Sequence, residues 1–283
     1  FKFKITIMNT IKSLIRIATG AALAIFLTTN ASATEAAANT NSTLKVLSIG
    51  NSFSANAHKF LPQIAKSMGK DLVLRNAFIG GCSLEKHARH MKEYEADPKK
   101  GNVYHGGSLI KLLKLEDWDI VTIQQVSHES FKPETYEPYA SEIIERIKQH
   151  APNAEIVVHQ TWGYNKNNYL LKEWGLTPEG MAAQVIDTYK KFAKEKSLRY
   201  IPAGELFAEA NKTPLSIQSH GYPATIYARD GYHASQHGEY FLGCIWYNFL
   251  FKEPVSAAAF KPDTVNEEDG KFLRELANTN TLK

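Results

Sequence analysis

The sequence predicts an α/β fold of three layers, α/β/α. Five short runs rich in branched and apolar residues alternate with longer amphipathic segments, and a parallel sheet covered by helices on both faces produces that alternation. Size agrees. Of the 283 residues, about 240 form one stretch long enough to bury a full core. No Pro/Gly/Ser-rich linker or internal repeat divides it, so residues 44–283 are read as a single domain.

Ahead of that domain, Lys2, Lys4, Lys12 and Arg16 precede an apolar stretch from Ile17 to Leu27, and Ala31-Ser32-Ala33 supplies a small-residue cleavage site. This pattern is that of a secretory signal peptide over residues 1–33, with Met8 as the initiator. The apolar stretch falls short of the ~20 residues a spanning helix requires, which favours cleavage over a retained anchor. Residues 34–43 are small and polar and are expected to be a flexible lead-in. The strands follow at Leu44–Ile49, Leu72–Phe78, Ile120–Gln124, Glu155–His159 and Arg199–Ile201. Between and after them, Leu61–Met68 has Pro62 early and Gly69 at its end, as a helix does. Thr177-Pro178 opens a second helix carrying Met181, Val185, Tyr189 and Phe192 at helical spacing. A third begins near Ser235 and runs through Tyr240, Leu242, Ile245 and Trp246 to Leu250. Thr264-Val265-Asn266-Glu267 matches a capping box ahead of Phe272, Leu273 and Leu276.

The formal net charge of +4 belongs to the leader, whose four basic residues have no acidic counterpart; 29 basic and 29 acidic side chains remain after it. A neutral mature chain has no electrostatic case for nucleic acid or an anionic membrane surface. The expected location is periplasmic or secreted, with no stable membrane insertion after cleavage. Cys82 and Cys244 are the only cysteines. They leave a disulfide or two buried thiols as alternatives, the thiols being favoured.

The chemistry-bearing residues sit where strands end. Ser52 lies in Ile49-Gly50-Asn51-Ser52-Phe53-Ser54, directly after the first strand, and Asp230-Gly231-Tyr232-His233 places a carboxylate and an imidazole three residues apart. A serine oxygen is a poor nucleophile until a base within hydrogen-bond reach takes its proton, and imidazole titrates near the working pH. A carboxylate on the other ring nitrogen fixes the tautomer, so Ser52, His233 and Asp230 are the candidate catalytic residues. The predicted helix after His233 would anchor that turn. Gly80-Gly81 follow the second strand, Gln124-Gln125 end the third and Gln160-Thr161-Trp162 end the fourth. In open α/β sheets such positions converge on one cleft.

These blocks resemble those of the SGNH (GDSL-like) hydrolases. Ile49-Gly50-Asn51-Ser52-Phe53-Ser54 is similar to their first block, with Asn51 where many members have Asp. Ile79-Gly80-Gly81-Cys82-Ser83 is similar to the second, and Asp230-Gly231-Tyr232-His233 to the last. A poorly characterised exported subfamily with Gly-Asn-Ser and Gly-Gly-Cys-Ser-Leu blocks resembles the chain most. The resemblance implies a five-stranded parallel, flavodoxin-like sheet and an oxyanion hole formed by the backbone N–H groups of Ser52 and Gly81. The third block departs: Gly-x-Asn-Asp is replaced by Gln124-Gln125-Val126-Ser127-His128-Glu129. Gln124 is assigned as the substitute donor and Gln125 as the alternative, because successive strand residues face opposite sides and only one can enter the cleft.

The implied activity is that of an exported serine esterase removing small acyl groups, O-acetyl foremost, from carbohydrate. Trp162 and Tyr164 are the substrate-binding candidates, by stacking on a sugar. Packing beneath a long loop is the alternative for both and for Trp174, and it is the favoured one. Asn165, Asn167 and Asn168 add polarity to the same loop. A lipase or thioesterase for longer acyl chains and a non-catalytic glycan-binding protein are the competing functions. No phosphate-binding Gly-rich loop or dinucleotide fingerprint is present, and no cofactor is expected. His233 with His237, and His87 with His90, have spacings at which they could share a helix face, but the Glu of His-Glu-x-x-His is missing and no metal is expected.

Overall fold

The computed structural model describes residues 43–213 and 226–279. The expected signal peptide and all of the lead-in but residue 43 lie outside them. Five strands form one parallel sheet: β1 (Leu44–Gly50), β2 (Leu72–Phe78), β3 (Ile120–Ile123), β4 (Glu155–His159) and β5 (Arg199–Ile201), in the order β2-β1-β3-β4-β5. Leu44 pairs with Leu72 on one side of β1, and Val46 pairs with Ile120 on the other. Val46, Leu47 and Ile49, all of β3, and Ile156–Val158 are buried. Such unbroken buried runs, in which the only polar members Ser48 and Thr122 bond each other at 2.8 Å, mark strands covered on both faces. β3 ends one residue before the predicted Gln124, and just beyond it the Gln125 N–H goes to the Tyr189 hydroxyl at 3.0 Å.

Ten α-helices complete the described layers: α1 (Ser52–His58), α2 (Leu61–Ser67), α3 (Leu84–Ala96), α4 (Leu109–Leu113), α5 (Tyr139–His150), α6 (Leu170–Glu173), α7 (Pro178–Lys196), α8 (Ala203–Ala210), α9 (Gln236–Phe251) and α10 (Glu267–Asn278). α7 starts where Thr177 predicts, its side chain accepting from Gly180 N–H at 3.0 Å. α10 starts two residues later than the expected capping box. Asn266 is its cap and accepts from Asp269 N–H at 2.8 Å, while Thr264 donates to Gln236. Asn is at least as good an N-cap as Thr, and the shift brings Glu267, Glu268 and Asp269 into the first turn, where the helix dipole favours acids.

α9 packs on α1, α2 and α10, whereas α3, α4 and α5 pack on one another. Tyr240, Phe241, Leu242, Cys244, Ile245, Trp246 and Tyr247 are all buried, so α9 is apolar around its whole circumference, as a core helix is. No helix among the described residues is long and apolar enough to cross a membrane. From β1 the chain crosses to β2 on one side and later to β3 on the other. The crevice beyond the carboxyl ends of β1 and β3 is therefore the switch point at which ligands bind in sheets of this order.

Candidate active site

Ser52 stands at that switch point. β1 stops at Gly50, Asn51 takes an extended conformation as the N-cap of α1, and Ser52 is the first helical residue. Asn51 is buried and satisfies three groups at once. Its Oδ1 accepts from Phe53 N–H (3.1 Å) and from Gln124 Nε2 (2.9 Å), and its Nδ2 donates to the Cys82 carbonyl (2.9 Å). The amide thus ties the end of β1 to the loop after β2 and to the residue after β3.

His233 comes from 181 residues downstream, yet its Nε2 lies 2.8 Å from Ser52 Oγ. Its Nδ1 lies 2.7 Å from Asp230 Oδ2, and Asp230 Oδ1 accepts from the N–H groups of Tyr232 and His233, both at 3.0 Å. One carboxylate oxygen builds the turn and the other faces the imidazole. Burial pushes the Asp230 carboxyl up, but the hydrogen bonds from Tyr232 N–H, the His233 ring and His233 N–H hold it below the usual carboxylate range.

The turn is clamped from several sides. Ser235, two residues after His233, caps α9. Asn56 Oδ1 accepts from Ala234 N–H at 3.2 Å while its Nδ2 donates to Glu239 at 2.9 Å. Asn56 is four residues from Ser52, hence on the same face of α1. That spacing was the available sequence signal for this clamp. From the other side Asn168 Nδ2 donates to the Asp230 carbonyl (2.8 Å), and Asn165 N–H donates to the Gly231 carbonyl (2.7 Å).

The candidate sugar platform is corrected in favour of packing. Trp162 is wholly buried, stacked between Phe53 at 4.2 Å and Phe207 at 4.6 Å between ring centroids, and its indole N–H donates to the Tyr232 carbonyl at 2.9 Å. Tyr164 is buried as well, bonded to Ser127 Oγ at 2.7 Å and packed on Trp174 and Tyr232. Neither offers a face to a substrate; both support the turn that carries His233. Asn165 and Asn168 are buried scaffold, whereas Asn167 is exposed.

The two glutamines divide as the expected alternation has it, although both lie just past the end of β3. Gln125 Oε1 accepts from Leu84 and Val126 N–H, and its Nε2 is committed to the Thr135 carbonyl and hydroxyl. Both amide protons are used, which removes Gln125 as an oxyanion donor. Gln124 faces Asn51 and gives it one of its two amide protons. Gly81 has φ +60° in an exposed turn, a conformation L side chains rarely adopt, and among the described residues its N–H meets no protein acceptor. Ser52 N–H, in the first turn of α1, has no intrahelical acceptor either.

Cys82 and Cys244 are buried free thiols, pushed up to about 11 and about 12 by burial. The histidine pairs do not converge on a common point. His87 bonds the Tyr104 hydroxyl (2.7 Å) and His90 bonds Glu93 (2.9 Å), while His237 bonds Asp269 (3.2 Å) and His233 faces Ser52.

Residues 45–280 match the family model of a domain of unknown function, DUF4886. The chain belongs to the DUF4886 family. A DUF4886 protein of Bacteroides uniformis, solved as a crystal structure, superposes with a TM-score of 0.74 at 26% identity, covering 85% of this chain and 95% of its own. A protein of Slackia heliotrinireducens described as a candidate SGNH hydrolase superposes with a TM-score of 0.53 at 20% identity, over 73% of this chain and 98% of its own. No curated protein matches the sequence. The DUF4886 chain thus has the SGNH-hydrolase fold that its sequence blocks imply.

One position of this DUF4886 domain tests the packing beneath the site. A Cβ on Gly50 would meet Ser54 Oγ at 2.5 Å and Gln124 Oε1 at 2.9 Å. Gly50→Ala is expected to cost about 1–3 kcal/mol, as overpacking does, and to displace Gln124. A urea melt measures the first effect and an ester assay the second. Wild-type values in both would mean that the end of β1 relaxes freely.

Proposed function

We propose that this chain is an exported serine esterase that removes small acyl groups, O-acetyl foremost, from carbohydrate. The observation that carries the esterase assignment is the relay from Ser52 Oγ to His233 Nε2 at 2.8 Å and from His233 Nδ1 to Asp230 Oδ2 at 2.7 Å. Ser52 Oγ attacks the acyl carbonyl as His233 takes its proton. Asp230 holds the ring and stabilises the imidazolium. Negative charge on the carbonyl oxygen is met by Ser52 N–H, Gly81 N–H and the second amide proton of Gln124, donors aimed before charge develops. The sugar alcohol leaves with the proton from His233. Water, activated by the same imidazole, then hydrolyses the acyl-enzyme.

The SGNH fold shared with the Slackia protein supports hydrolysis at this serine. The leader motif supports export. With Trp162 and Tyr164 assigned to the core, carbohydrate rests on the exposed, polar character of the loop, where Asn167 and the 70% exposed Tyr169 flank Asn168, the residue holding the Asp230 carbonyl.

A fluorophosphonate is expected to label one peptide, the one containing Ser52, and nitrophenyl acetate to be hydrolysed faster than nitrophenyl octanoate. No label on that peptide would overturn the esterase assignment and favour a glycan-binding protein. A strong preference for octanoate would replace the carbohydrate assignment with a lipase or thioesterase.

A further inference from the structure

We infer that His159, buried at the end of β4, is a positioning residue for the oxyanion hole: by donating from Nδ1 to Oε1 it anchors, together with Asn51 at the other end, the Gln124 amide whose N–H₂ group serves the Ser52 turn. The inference rests on the esterase proposal and follows from a chain of forced hydrogen-bond assignments. A backbone N–H can only donate, and Phe53 N–H lies 3.1 Å from one amide atom of Asn51, so that atom is Oδ1. The other end agrees, since Nδ2 faces the Cys82 carbonyl, which can only accept, at 2.9 Å. Two carbonyl oxygens cannot bond each other, so the Gln124 atom 2.9 Å from Asn51 Oδ1 is Nε2. Gln124 Oε1 then lies 2.8 Å from His159 Nδ1, which must carry the proton.

The far side of the ring fits the same tautomer. His159 Nε2 is buried with no partner, and the ring packs on the edge of Trp246 with centroids 5.0 Å apart. A ring whose proton is on Nδ1 leaves at Nε2 a bare acceptor and not a second buried N–H without an acceptor. Burial lowers the imidazole to about 3, so the ring stays neutral and keeps a single proton to place. Without the Nδ1 donor, Asn51 alone holds the Gln124 amide and Oε1 is left buried without its donor, so the N–H₂ group loses one of its two anchors and its aim at the developing oxyanion. His159 touches neither Ser52 nor the reacting atoms; its effect passes through Gln124.

The test compares His159→Leu with His159→Asn, whose side-chain N–H stands where Nδ1–H was. On nitrophenyl acetate His159→Leu is expected to lower kcat at least about tenfold, part of the roughly 10²–10³ that a whole oxyanion donor is worth, with KM held within about twofold. His159→Asn recovers most of that loss. In a Gln124→Leu background His159→Leu lowers kcat no further, because the two act as one unit. Unchanged kcat in folded His159→Leu, or an equal loss in both backgrounds, would overturn the inference. Should His159→Leu fail to fold, nitrogen-15 NMR of the wild-type imidazole decides: a proton on Nδ1 supports it, and a proton on Nε2 overturns it. Fluorophosphonate labelling of the same wild-type protein separates the two levels. An unlabelled Ser52 overturns the esterase proposal and this inference together, while a labelled Ser52 with an insensitive His159 overturns only the inference.

Discussion

Replacing Ser52 with Ala is expected to lower kcat on nitrophenyl acetate by about 10⁶-fold, the loss subtilisin shows without its nucleophile, while the folded state persists. The hydroxyl is half-buried and its bond is to His233. The groups that hold the turn in place, the Asn51 cap and the Asn56 clamp, do not involve it. Removing one such oxygen away from the core shifts stability by no more than about 0.5 kcal/mol. Urea melts and initial rates measured side by side therefore separate chemistry from folding. A folded Ser52→Ala protein turning over at the wild-type rate would show that another group is the nucleophile, and the relay from Asp230 through His233 would then be without a role.

The strands were legible because their signal is local. Leu72–Phe78, Glu155–His159 and Arg199–Ile201 begin and end at the expected residues, each bounded by the composition change that marks a strand edge. Ser52, His233 and Asp230 were legible because a nucleophile needs a base and a base needs an orienting carboxylate, whatever the fold. Contacts between distant segments were not. Trp162 and Tyr164 sit in a loop whose composition suits sugar binding, but their burial depends on Phe53, Phe207 and Tyr232, which no spacing connects to them. Likewise His159 reads as the last apolar-flanked residue of a strand, and only the sheet register brings it beside Gln124. The choice between Gln124 and Gln125 was half legible: alternation says that one of them faces the cleft, but the Thr135 contact that occupies the other is tertiary.

The largest effect on stability is expected from acid. Burial lowers three imidazoles, those of His58, His87 and His159, from 6.5 to about 3, and the last two are 0% exposed. In the unfolded chain these rings take up protons below about 6.5, whereas the folded protein resists doing so until near 3. Between those limits the unfolded state binds more protons, so stability is full above about 6.5 and falls as the pH drops toward 3. At about 1.4 kcal/mol per pKa unit, each ring accounts for several kcal/mol across the window, and the three together reach the 5–15 kcal/mol that typically holds a domain folded. The lowered carboxylates Asp230, Glu137 and Glu253 act in the same direction, but only below about 4.5, near and under their ordinary range. Glu239, raised by burial, opposes the trend. The interval from pH 6.5 to 5 therefore reports mainly on the histidines. Urea midpoints taken across it are expected to fall steadily, and a midpoint flat from pH 6.5 to 5 would show that none of the three rings is held neutral by its burial.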